Sequence, residues 1–147
     1  MKNQKSAVFT LWCSRFLMLT VGLLCFFMYD LITWYAGFRF LLWQTKAAIL
    51  AGYYCCVPFI LYALWCMDRL ISNILKNDVF ITVNVRFIRR IRWCCAGVSA
   101  VTLAAGCFYP PLLFLSVIMA FLALTVSVVK NVMAAAVEIR EENDLTV

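Results

Sequence analysis

The residues best equipped for chemistry sit at the two ends of a 147-residue chain's second half. Between positions 68 and 92 the chain carries Arg69, Lys76, Arg86, Arg89, Arg90 and Arg92 against Asp68 and Asp78. From Thr82 onward the pattern turns helical. Val85, Ile88 and Ile91 recur three apart, with Arg86, Arg89 and Arg90 elsewhere on the wheel. Guanidinium groups in that arrangement bind anionic headgroups or carboxylates, the latter through paired hydrogen bonds that Lys does not offer. The segment therefore reads as an amphipathic helix on a membrane surface, Thr82 capping its first amides. Residues 138–147 carry Glu138, Glu141, Glu142 and Asp144 against Arg140, with Asn143 as a C-cap. Basic helix and acidic tail are complementary. Glu141, Glu142 and Asp144 are expected to fold back onto Arg86, Arg89 and Arg90 as a weak latch, since exposed pairs are worth only about 0–1 kcal/mol each.

Other candidates are weaker. Arg15 is a charge inside an apolar run, and an ionisable group at membrane depth is a functional candidate. It lies about two turns from the run's basic end, though, within snorkelling reach of headgroups. The eight cysteines, at 13, 25, 55, 56, 66, 94, 95 and 107, form no CxxC pair, and the chain has no histidine. Zinc sites need clustered Cys and His, whereas free Cys behaves as a small buried hydrophobe. No metal, no cofactor and no disulfide is expected. Neither a carboxylate pair, a nucleophile with a His base, nor a Gly-rich phosphate cradle is present, so enzyme activity is not expected.

The elements that must position these residues follow from composition. The chain is 66% hydrophobic and 14% charged, against about 45–50% and about 25% in ordinary globular domains. So much apolar surface cannot be hidden inside a sphere this small. Lipid is the missing solvent, and the expected fold is an all-α integral membrane domain over residues 1–147. Four apolar runs, residues 7–29, 47–67, 93–109 and 112–129, are candidate spans, with the amphipathic helix between the second and third. The third run reaches only about 26 Å. Pro110 and Pro111 cannot continue a helix, so runs three and four must form a tight hairpin. Pro58 sits inside run two, where membrane helices tolerate it. The segment 30–45, with Trp34, Tyr35, Phe38, Phe40 and Trp43, reads as an interfacial element on the outer leaflet.

The net charge of +6 is placed at the edges of apolar runs and reads as topology rather than nucleic-acid binding. Lys2, Lys5, Arg69, Lys76, Arg86, Arg89, Arg90, Arg92, Lys130 and Arg140 fall on one side, and only Arg39 and Lys46 on the other. The richer side is expected to be cytoplasmic, with both termini inside.

Phe80, the run Asn84-Val85-Arg86-Phe87-Ile88-Arg89-Arg90-Ile91 and the closing Glu142-Asn143-Asp144-Leu145-Thr146 resemble a bacterial membrane family known as domain of unknown function 2975. Ile88 stands where that pattern has Leu, and Asp78-Val79 replaces its Gly or Pro. The resemblance implies a four-helix protein of the bacterial inner membrane. It also implies a gene neighbourhood that includes a small helix-turn-helix regulator, and hence a regulatory pair. The functional expectation is a non-enzymatic module that docks a partner at its cytoplasmic face, through Asn84, Arg86, Arg89, Arg90, Glu141, Glu142, Asn143 and Asp144. Anionic lipid and a second copy of the chain are the other expected partners. The alternative is a small transporter or channel subunit, which would need a polar path through the helices.

Overall fold

The structure, a computed structural model, describes the backbone of residues 2–75 and 81–145, and the side chains of residues 8–75 and 81–143. Four helices account for nearly all of it: α1 (Lys2–Phe38), α2 (Trp43–Leu75), α3 (Thr82–Gly106) and α4 (Pro111–Leu145). They pack in chain order, α1 on α2, α2 on α3 and α3 on α4. Among the described residues α1 packs on no helix but α2. Its apolar side chains, including Phe9, Phe16, Phe26 and Phe27, are consequently left exposed. Val8–Phe38, Trp43–Leu75 and Pro111–Asn143 are long and apolar enough to cross a membrane.

Each turn has a physical cause. At the end of α1 the amide of Leu41 bonds the carbonyl of Ala36 (3.0 Å) and that of Phe40 bonds Gly37 (3.4 Å). This doubly bonded helix stop needs a left-handed residue, which Phe40 supplies at φ 51°. At the other hairpin Cys107, Phe108 and Tyr109 fold back onto the carbonyls of Ala104 and Ala105. Pro111 then opens α4, where a missing amide costs nothing. Gly106 allows this closeness, since a Cβ there would stand 2.6 Å from Leu113 Cδ2 and 3.1 Å from its backbone nitrogen.

α3 is the best buried helix, since it packs on α2 and shares with α4 the most extensive helix contact. Asn84, Val85, Ile88, Cys94, Val98, Thr102 and Ala105 are all buried. Close approach on the α2 side uses Gly52, whose missing Cβ would meet Ala105 Cβ at 3.2 Å. On the α4 side a reciprocal pair ties the helices. Ser99 Oγ donates to the carbonyl of Ser116 and Ser116 Oγ to that of Ser99, both at 3.0 Å. Small residues and interhelical hydroxyl bonds of this kind drive helix association where lipid removes the hydrophobic force between helices.

Some expectations about the elements change. The aromatic segment 30–45 is not a separate interfacial element. α1 continues unbroken through Asp30 to Phe38, and the chain turns within four residues into α2 at Trp43. The basic segment is not set apart from the third apolar run, because α3 is one helix from Thr82 to Gly106. Asn143 does not cap α4, which stays helical through Leu145.

Candidate functional site

The polar side chains gather at the basic end of the molecule, away from the two hairpin turns. Arg15 Nε donates to Asp68 Oδ1 at 3.2 Å, with the arginine side chain 60% exposed and the aspartate 17%. On α2, Arg69 stacks its guanidinium over Trp65 at 5.6 Å, and Trp65 meets the edge of Phe87 on α3 at 6.3 Å. Arg92 Nη1 donates to Ser127 Oγ on α4 at 3.5 Å and lies over the Trp93 ring at 5.3 Å. These contacts step across all four helices as one charged belt. From Arg15 to Phe38 is about 34 Å of helix, close to the roughly 30 Å of a hydrocarbon core. Beyond the belt every helix continues, so among the described residues the basic end is built of helix ends.

Within that end Asn84 is the anchor. It is 0% exposed, and its Oδ1 accepts from Asn73 Nδ2 of α2 at 2.9 Å. A buried amide has to be hydrogen-bonded, so this pair locks the start of α3 to the end of α2. Thr82 caps nothing. It is the first helical residue, the cap position belongs to Ile81, and no side-chain cap bond forms. Its hydroxyl instead donates to Glu141 Oε1 of α4 at 3.3 Å. The acidic end of α4 thus meets α3 at Thr82, one turn before Arg86.

The other expected site residues take definite places. Arg86, Arg89 and Arg90 are exposed, and their spacing of three and four puts them on one face of α3, opposite buried Asn84 and Ile88. Glu142 and Asn143 are exposed on the last turns of α4. The carboxylate of Asp144 lies outside the described residues, as do Lys76, Asp78 and Phe80. Sequence reasoning missed Asp68 as the partner of Arg15, Asn73 as that of Asn84, and Ser127 as that of Arg92. The first had a usable signal. Arg15 and Asp68 lie at nearly equal chain distances from the turn at residues 39–42, which is where an antiparallel hairpin brings side chains together.

At the turn end, Tyr35 and Tyr109 share a hydrogen bond of 3.0 Å. Beneath it lies a partly open cavity of about 430 Å³, to whose lining all four helices contribute, with Met28, Ile32, Ile49, Cys56, Leu115 and Met119 among its residues. Its wall is almost wholly apolar.

Fold and site together define a small multi-pass helical membrane protein with a basic, polar-tied end. Over residues 28–147 the sequence matches the family described as "Protein of unknown function (DUF2975)", and the chain belongs to that family. No curated protein and no solved structure matches it.

Proposed function

We propose that the protein is a non-enzymatic interaction module of the bacterial inner membrane that docks a partner on its cytoplasmic face. One observation carries the reading: three arginines, Arg86, Arg89 and Arg90, share an exposed face of a helix whose opposite face is locked by the fully buried Asn84. A rigid, pre-formed row of guanidinium groups loses little freedom when an acidic surface arrives, and electrostatic complementarity then sets on-rate and choice of partner. The acidic end of α4 lies beside this row through the Thr82 to Glu141 bond. It occupies neighbouring space and can be displaced, which makes the docking regulable.

In this reading α3 is the fourth span. Its apolar part is short, about 21 Å from Trp93 to Gly106, but α2 and α4 shield it on both sides. The ten-to-two distribution of Lys and Arg orients both termini and the arginine row inward. A cytoplasmic helix-turn-helix regulator is the partner that the family resemblance implies. A transporter is the weaker reading, because the cavity wall offers a hydrated ion almost no polar ligands.

Affinity purification from native membranes with the acidic tail intact tests the proposal. A stoichiometric cytoplasmic protein should co-purify and be lost on the triple change Arg86→Glu, Arg89→Glu, Arg90→Glu. Recovery of the same protein with the reversed charges would contradict it.

A further inference from the structure

Between α3 and α4, on the side turned away from α2, runs an open groove of about 540 Å³. Its floor is made by Ala96, Ala100, Ala120 and Ala123, and Arg92 and Trp93 stand at its basic end. The two serines along it are already engaged, Ser99 with Ser116 and Ser127 with Arg92. What the groove presents is therefore an apolar channel under a cationic rim. We propose that it is a binding site for an anionic phospholipid, one acyl chain lying in the alanine-floored channel and the phosphate held by the guanidinium of Arg92.

The charge at the rim selects this occupant. Arg92 has five N–H donors and spends one on Ser127, so donors remain for phosphate oxygens. Arg89 lies one turn away, exposed, and adds to the same positive potential. The ring of Trp93, 65% exposed beside the groove, sits where the headgroup level must fall if Arg92 reaches a phosphate. Small residues also favour helix dimers, but a second copy pairing groove to groove in the same orientation would press Arg92 against its own counterpart. Two unscreened like charges disfavour that arrangement, whereas a phosphate neutralises the rim. The inference rests on α3 crossing the bilayer, and it is independent of any protein partner.

The full chain with Trp12, Trp34, Trp43 and Trp65 replaced by Phe keeps Trp93 as its one indole. It is reconstituted in mixed vesicles of phosphatidylcholine and phosphatidylglycerol in which one lipid or the other carries brominated chains, which quench tryptophan on contact. Brominated phosphatidylglycerol should quench with an apparent association about fivefold stronger, the preference that one arginine near the surface confers. Arg92→Gln should remove most of that preference, leaving only what the potential of Arg89 sustains. Ala120→Leu, at an exposed position with room for the longer side chain, should weaken the preference without lowering the unfolding temperature. Equal quenching by both lipids would overturn the site while leaving α3 in the membrane. Quenching by neither would overturn the site and the placement of α3 together. A preference that survives both substitutions undiminished, or an Ala120→Leu change that leaves it intact and dissociates a dimer, would also overturn it, the latter marking the groove as a contact between copies.

Discussion

Asn84 and Arg15 are both polar side chains placed among apolar ones, and they solve that problem differently. Asn84 is sealed from solvent and depends on protein partners, Asn73 among them. Removing one member of such a pair strands the other and costs about 1–3 kcal/mol. Asn84→Ala should therefore lower the unfolding temperature of the purified protein by several degrees. In a double-mutant cycle with Asn73→Ala the two changes should be non-additive, and strict additivity would argue against the bond. Arg15 remains largely exposed while Asp68 is mostly covered, so their pair pins α1 to α2 and gives the covered carboxylate a partner. The motif drew attention to Asn84 only as part of a run of letters. Nothing local could reveal its burial, because a polar residue at a helix start looks like surface until the end of α2 is placed over it.

At the scale of elements, the hairpin turns are the most strained and most crowded places. Phe40 holds a left-handed backbone at the stop of α1 while its ring is 94% exposed. For a residue with a Cβ that conformation costs roughly 1–2 kcal/mol, which glycine avoids. Phe40→Gly is expected to raise stability by about 1 kcal/mol in thermal unfolding, and a marked loss would show that the ring does packing work. Gly106 is the opposite case. A methyl there would collide with Leu113 side chain and backbone, so Gly106→Ala should destabilise by about 1–3 kcal/mol through overpacking of the α3 to α4 turn.

The helices themselves were largely legible, because apolar runs near membrane length and the Pro110-Pro111 break carry their signal locally. Their ends were not. Asp30 and Asp68 look like boundaries in a hydropathy reading, yet a helix with satisfied backbone bonds passes through a single charge when a partner or an interface accepts it. Hence α1 extends eight residues beyond Asp30 to Phe38, and α2 extends past Asp68 to Leu75. In the same way the basic segment and the third apolar run join into one α3, since neither Pro nor Gly interrupts residues 82–96.

For the whole molecule, the consequence is a set of helices that runs through the charged belt and ends in a polar platform. Its arginine row belongs to the same helix, α3, as the apolar run that the proposed function places in the membrane. Movement of α3 within the membrane would therefore be felt at the platform, and docking at the platform would be felt in the helix packing below. This depends on α3 crossing the bilayer with Arg86 inside, and native Cys107, exposed in the α3 to α4 turn, offers the most direct measurement. Two chains are compared in intact cells with a membrane-impermeant maleimide, one retaining Cys107 as its single thiol, the other cysteine-free except for Arg86→Cys. Cys107 should label from outside without permeabilisation, and the Arg86→Cys chain only after the membrane is opened. Labelling of both from the same side, or of the Arg86→Cys chain in intact cells, would contradict the account.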